Sequence, residues 1–287
     1  MSKSALDVKA YAKLNISLDV TARRPDGYHD VLTVMQSVEL HDDIEIRRSP
    51  GRGARVVGDI GNLPRGGRNT AAGAVFEFFS YTGITEEKIT VELYKRIPVR
   101  AGMGGGSADA AAVLRGLDEM FETGLAQTEL AEIGSRIGSD VPFCVMNGAA
   151  LAEGRGEMLT KLPSLPECCI VICKPRFSVS TRTLFGRLDC GKIQRRPDTA
   201  GITDALKNGS LTDAARRMYN IFEDVIRHGD EIARIKGALL GLGALGAVMT
   251  GTGSAVFGIF DDGGAARTAR ETLRREYVEC FLTSPHP

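Results

Sequence analysis

A run of glycines that opens an alanine-rich segment constrains this chain more than any other feature. It reads Ile97-Pro98-Val99-Arg100-Ala101-Gly102-Met103-Gly104-Gly105-Gly106-Ser107-Ala108-Asp109-Ala110-Ala111-Ala112. Glycine lets the backbone take positive φ and approach a ligand closely, and the alanines that follow demand a helix. The start of a helix offers N–H groups without intrahelical acceptors and the positive end of a dipole. Together these make an anion site, most naturally for the phosphates of a nucleotide. Neither common phosphate loop fits. No Gly-x-x-x-x-Gly-Lys-Ser/Thr occurs, and Gly102-x-Gly104 is followed by Ser107 where a dinucleotide fold places glycine or alanine. Taken alone the run equally suits a flexible loop before a helix, so other segments have to decide.

The remaining composition removes several classes of function. Charged residues are 25% and hydrophobic residues 43% of 287, near the averages of a soluble globular protein. A formal net charge of +0 draws the chain neither to nucleic acid nor to an anionic membrane. The six cysteines form no C-x-x-C pair and the histidines lie far from them, so no zinc site is expected. The N-terminus lacks the apolar core of a secretory signal, which points to a reducing cytoplasm. From Gly237 to Phe260 no charged residue occurs, but seven glycines interrupt the stretch; a helix, a glycine turn and a buried strand fit better than a membrane span.

Apolar residues occupy every second position from Val8 to Val20, a strong strand signal that puts Lys13 and Asn15 on the opposite face. The turn Arg24-Pro25-Asp26-Gly27 follows, and Val31 to Leu40, Ile44 to Arg47 and Ile89 to Tyr94 read as further strands. Asn69 to Tyr81 reads as a helix with Ala72, Val75, Phe76 and Phe79 on one side. Ser107 is expected to cap a helix through about Phe121, and a helix from about Thr128 stops at Gly138. Pro142 is expected to hold Val141 outside the α region, leaving Asp140 on a stiff turn. Further on, Ile170 to Cys173 is a strand, Arg187 to Gly209 an irregular connection, Leu211 to Arg227 a helix, Ala247 to Phe260 a glycine cluster around a strand, and Ala265 to Glu276 a helix. Strands concentrate early and helices late, without regular βαβ alternation, so the fold class is α+β.

Phosphoryl transfer from a nucleotide needs positioning and charge neutralisation more than covalent chemistry. Lys13 is a candidate cation and Asp140 a candidate base for the acceptor hydroxyl. Each also has a plain structural reading, the lysine as a solvated strand residue and the aspartate as a turn former. The second glycine cluster, Thr250-Gly251-Thr252-Gly253-Ser254, fits either close approach to a phosphate or a tight turn. Tyr28-His29 could stack on a base, with Phe185 as a second wall.

Their order along the chain resembles the superfamily of kinases that phosphorylate galactose, homoserine, mevalonate and phosphomevalonate. Within it, Ala12-Lys13-Leu14-Asn15 followed by Arg24-Pro25-Asp26-Gly27-Tyr28-His29 resembles the 4-diphosphocytidyl-2-C-methyl-D-erythritol kinases of non-mevalonate isoprenoid synthesis. Pro98 to Ala108, Gly138-Ser139-Asp140-Val141-Pro142 and Thr250 to Gly253 also match, so the resemblance spans nearly the whole chain. It implies a two-lobed α+β fold, with an N-terminal lobe over residues 1–160 holding the glycine loop and a C-terminal lobe over 161–287 contributing to substrate binding.

The resemblance further implies ATP and Mg²⁺ as cofactors and the substrate's tertiary 2-hydroxyl as acceptor. Asp140 would accept or orient the hydroxyl proton, and Lys13 would keep Asp140 ionised and stabilise the transferred group. Pro98, Val99, Arg100, Ala101, Gly102, Met103, Gly104, Gly105, Gly106, Ser107 and Ala108 would wrap the ATP phosphates, with Asn69 and Lys95 nearer the nucleoside. Asn15, Tyr28, His29 and Phe185 would hold the cytidine end, with Thr181, Gly251, Thr252 and Gly253 also on the substrate side. The partner is a small molecule, with no nucleic acid or membrane, and the protein is a monomer or weak homodimer.

Two positions depart from the family pattern: Ala108 stands in place of a second serine, and Met103 in place of leucine. Residues 187–210 match nothing. Two other functions stay open at this point. A sister kinase for homoserine or a mevalonate derivative would ignore cytidine nucleotides, and a non-catalytic nucleotide-binding regulator would bind ATP without phosphorylating any acceptor.

Overall fold

The computed structural model describes residues 3–60, 69–85 and 87–287. Met1 and Ser2, the first residues of the stretch read above for a secretory signal, lie outside them. The chain forms two compact units that interleave along the sequence. One comprises Met1–Ala12, His41–Ile97 and Gly104–Asn147; the other comprises Lys13–Leu40, Pro98–Met103 and Gly148–Pro287. Two long strands, β1 (Ala5–Arg23) and β2 (His29–Ser49), contribute to both units. The separate strands expected at Val31 to Leu40 and Ile44 to Arg47 are therefore one. The division expected at residue 160 falls within β6 (Met158–Leu162), inside the second unit.

In the first unit, β2 pairs antiparallel with β4 (Lys88–Tyr94), from Asp43 opposite Tyr94 to Ser49 opposite Lys88. Strand β3 (Gly53–Gly58) lies parallel to the other edge of β4. Among its described residues four helices complete it: α1 (Thr70–Thr82), α2 (Gly105–Phe121), α3 (Gln127–Ser135) and α4 (Val141–Met146). The Asn69 carboxamide accepts from the N–H groups of Ala71 and Ala72 and so caps α1. The buried face of α1 is Ala71, Ala72, Ala74, Val75 and Phe78. Phe76 points outward and Phe78 inward, one position away from the expected stripe, because Phe78 meets the Phe121 ring of α2 at 6.4 Å. Helix α2 is buried continuously from Ala108 to Leu114, as a helix apolar on most sides must be.

Two helix starts differ from expectation. Helix α2 begins at Gly105, with Gly104 at φ 69° as its N-cap, so Ser107 lies within the first turn. Only glycine takes that left-handed conformation without penalty. Asp140 precedes α4 at φ −85° and ψ −10°, and Val141 is already helical. Pro142 is compatible because the first turn requires no N–H donor.

In the second unit, β2 continues antiparallel to β5 (Ala149–Glu153), which pairs with β6. A four-stranded antiparallel sheet has the order β11-β7-β10-β9, built from β7 (Cys169–Lys174), β9 (Gly246–Met249), β10 (Val256–Phe260) and β11 (Glu279–Thr283). Helices α8 (Gly229–Gly241) and α9 (Gly263–Arg274) pack on it over a core that includes Val171, Cys173, Leu239, Val256, Phe260 and Leu273. The stretch Ala247 to Phe260 is thus two strands around a turn rather than one.

The expected irregular connection contains a helix, α6 (Thr199–Lys207), after the short α5 (Thr181–Phe185). The helix expected at Leu211 to Arg227 ends early as α7 (Leu211–Arg216). Tyr219 and Asn220 instead form β8, parallel to Ser17 and Leu18 of β1, and a 3₁₀ turn over Ile221–Asp224 follows. Tertiary pairing overrides helical periodicity here, since Asn220 is fully buried and its carboxamide donates to the carbonyls of Met249 and Gly251.

Candidate active site

Strand β1 is buried on both faces from Ala12 to Val20, so its polar row is buried too: Lys13 is 4% exposed and Asn15 2%. A polar group in that position must find partners. The Lys13 ammonium donates to Asn15 Oδ1 at 2.7 Å, and the Asn15 Nδ2 donates to Thr33 Oγ1 at 2.8 Å. The reading of Lys13 as a solvated strand residue is therefore excluded.

Hydrogen bonds gather two segments of the second unit around that pair. Lys13 N–H donates to the Met103 carbonyl at 3.1 Å, and Asn15 N–H to Thr250 Oγ1 at 3.0 Å. Thr250 Oγ1 reaches the Gly102 carbonyl at 3.3 Å, and Ala255 N–H the Ala101 carbonyl at 3.1 Å. The two glycine clusters are therefore in contact. Gly102 has φ +79°, and a Cβ there would stand 2.2 Å from the Thr250 carbonyl oxygen. No side chain fits, which is the physical reason for glycine. The carbonyl of Gly251 is held by Asn220, and Thr252 Oγ1 lies 3.1 Å from Thr181 Oγ1.

A second group in this unit is aromatic. The His29 ring lies 5.0 Å from the Phe185 ring, which meets Phe222 edge-on at 4.8 Å. Burial, and then the positive charge of Arg23, lower the His29 pKa, favouring the neutral imidazole. Tyr28 is 57% exposed, its N–H bonded to Asp26 Oδ1 and its ring under the Arg155 guanidinium at 5.1 Å.

The first unit holds the remaining candidates apart from Pro98, Val99 and Arg100, which belong to the second. The amides of Gly105, Gly106 and Ser107 open α2, where the helix supplies them no acceptor. The Gly106 carbonyl accepts from Thr70 Oγ1 at 2.6 Å, tying that turn to α1. Ser107 Oγ lies 4.0 Å from where a Cβ on Gly138 would stand, so the turn leading to half-buried Asp140 is beside the start of α2. Ala108 is 1% exposed, where the hydroxyl of a serine would need a buried partner. Pro98 is buried, whereas Val99 and Arg100 are exposed.

Asn69 is the cap of α1, and Lys95 lies between Asp42 and Asp109, donating to both carboxylates. Burial, opposed by Lys95 and assisted by Asp42, raises the Asp109 carboxyl to about 7. Asp42, Asp109, Thr33 and Asn220 went unread in the sequence. For Asp109 a signal existed, a carboxylate inside an alanine-rich helix start, which requires a cation nearby. The other three depend on partners 18 to 55 residues away.

The family model for the GHMP kinases N terminal domain matches residues 69–148, and that for GHMP kinases C terminal matches residues 202–279. The chain is 42% identical to a 4-diphosphocytidyl-2-C-methyl-D-erythritol kinase of Caldicellulosiruptor saccharolyticus, over 96% of each chain. It is similar to a crystal structure of 4-(cytidine 5'-diphospho)-2C-methyl-D-erythritol kinase, with a TM-score of 0.81, 30% identity, and coverage of 98% of this chain and 100% of that one. A homoserine kinase from Cytophaga hutchinsonii matches at a TM-score of 0.78 and 20% identity, covering 98% and 95%, which is likeness of fold.

Proposed function

We infer the activity from one premise: the chain belongs to the GHMP kinase family. It phosphorylates the 2-hydroxyl of 4-diphosphocytidyl-2-C-methyl-D-erythritol with ATP as donor, a step of non-mevalonate isoprenoid synthesis. The observation that carries this is the 42% identity to a kinase of that name over 96% of both chains. The expected α+β kinase fold is borne out by the same relationship and by the solved structures.

Within each unit the local geometry supports a separate role. In the first unit the amides at the start of α2 bind the ATP phosphates, where the helix dipole favours negative charge. Asp140, beside that helix start, orients the acceptor hydroxyl and takes its proton. Lys13, held by Asn15, neutralises charge on the transferred group. The Thr250 turn, locked to Asn15 and Gly102, supports the acceptor side, with Thr181 and Thr252 lining it. His29 and Phe185 form the wall for the cytosine ring, and exposed Tyr28 supplies a second stacking face. A neutral His29 suits this role, because it can hydrogen-bond a base edge without carrying a charge into an aromatic slot.

Mg²⁺ accompanies the nucleotide. Ser107, in the first turn of α2, would offer it a protein oxygen, and there it would neutralise phosphate charge. All six cysteines are free, which supports a cytoplasmic location. Among the described residues no helix is long and apolar enough to cross a membrane.

The test is a phosphoryl-transfer assay with the cytidine substrate beside homoserine and mevalonate. ATP-dependent phosphorylation of the first alone is expected. Turnover of either control with indifference to cytidine nucleotides would overturn the assignment.

A further inference from the structure

We propose that Asp42 is a positioning residue for the nucleotide loop: its carboxylate clamps the end of β4 and, through Lys95, the start of α2. This rests on the reading of that loop as the ATP site. Asp42 is 0% exposed. Its Oδ1 accepts from the backbone N–H groups of Arg96 and Ile97, the last residues before the loop, the latter at 2.8 Å. Its Oδ2 accepts from the Lys95 ammonium, which also donates to Asp109 Oδ2 at 2.6 Å in α2. One carboxylate on β2 thus reaches both anchors of the loop.

Those anchors touch. A Cβ on Gly105 would lie 3.3 Å from Ile97 Cγ2 and 3.6 Å from Lys95 Nζ. The segment Pro98 to Gly104 therefore leaves and returns to nearly the same point, with its ends held by a buried ionic triad. A loop whose ends are already fixed loses less conformational freedom when it closes on a ligand. The triad's own charge argues against direct phosphate binding. The Lys95 ammonium is already engaged by Asp42 and Asp109 and leaves no net positive charge for a phosphate, so the triad acts on the loop and not on the nucleotide. Asp109 Oδ1 is buried without a hydrogen-bond partner, as expected for a group kept for its bond to Lys95.

The experiment measures ATP binding calorimetrically, with no acceptor present, for the wild-type chain, Asp42→Asn and Asp109→Asn, each checked for folding by circular dichroism. Steady-state KM values for ATP and for the cytidine substrate follow. Asp42→Asn keeps an acceptor for the backbone but turns an amide toward Lys95. It is expected to weaken ATP about 10-fold, a change of about 1.4 kcal/mol, with the acceptor KM within about 2-fold of wild type. Asp109→Asn, which frees only the helix end, should weaken ATP by a smaller factor in the same direction.

Folded variants that bind ATP like wild type would overturn the proposal. So would equal losses for ATP and acceptor, or failure of both variants to fold, since either makes the triad a general support. ATP binding without phosphorylation of the cytidine substrate would instead refute the acceptor assignment and leave the clamp standing.

Discussion

Replacing Gly102 with alanine tests whether the two glycine clusters must touch. Two costs follow from the structure. The residue sits at φ +79°, where a side chain costs about 1–2 kcal/mol. A Cβ would also stand 2.2 Å from the Thr250 carbonyl oxygen and 3.0 Å from Gly253 N, both backbone atoms. Neither can rotate away, so the segments must separate by about an ångström to restore van der Waals contact. That movement breaks the bonds from Thr250 Oγ1 to the Gly102 carbonyl and from Ala255 N–H to the Ala101 carbonyl, each worth about 0.5–1.5 kcal/mol. The sum is a loss of about 2–5 kcal/mol, or roughly 3–8 °C in melting temperature for a chain of this size.

Gly209→Ala supplies the control, because Gly209 has φ +66° with nothing within 4 Å of its Cβ position. It pays the dihedral penalty alone, about 1–2 kcal/mol. Thermal melts of both variants, with ATP titrations, separate strain from collision. Gly102→Ala should be clearly the less stable and should bind ATP more weakly, while Gly209→Ala binds it normally. Equal melting temperatures for the two variants would refute the reasoning.

Asp140→Asn should lower kcat by roughly 10²–10⁴-fold while ATP affinity stays near wild type, and near-normal turnover in the coupled assay would remove Asp140 from the chemistry. Tyr28→Ala should raise KM for the cytidine substrate by about 1–3 kcal/mol in free-energy terms with little change in KM for ATP; an effect on ATP alone would contradict the stacking role. The Asp109 carboxyl, raised to about 7, keeps its proton in the folded chain over a range where the unfolded chain has released it. Its contribution to stability is therefore complete below the unfolded pKa near 4 and is lost as pH rises toward about 7. Asp109→Asn should remove that fall, so urea midpoints at pH 4.5, 5.5 and 7 should show the variant gaining on wild type as pH rises; parallel curves would show that Asp109 does not titrate there.

Much of the local structure at the candidate site was legible because its geometry is local in sequence. A glycine run before alanines specifies a loop and a helix start whichever tertiary structure follows, and alternation from Val8 to Val20 specifies a strand. Asn69 capped a helix near where its spacing placed it. These readings depend on backbone geometry over a few residues, which neighbouring side chains alone impose.

The failures have the opposite character. Burial of Lys13 and Asn15 followed from packing on the second face of β1, which alternation on one strand does not encode. Helix α7 stopped short because Tyr219 and Asn220 gained strand partners some 200 residues earlier in the chain. Asp42, Lys95 and Asp109 form one ionic group only once β2, β4 and α2 are brought together. The amino-acid order by itself determined which segments could cradle phosphate, stack on a base or carry a proton. Only the tertiary structure decided which polar groups lost their water, because desolvation depends on every element packed around a side chain and not on its neighbours along the chain.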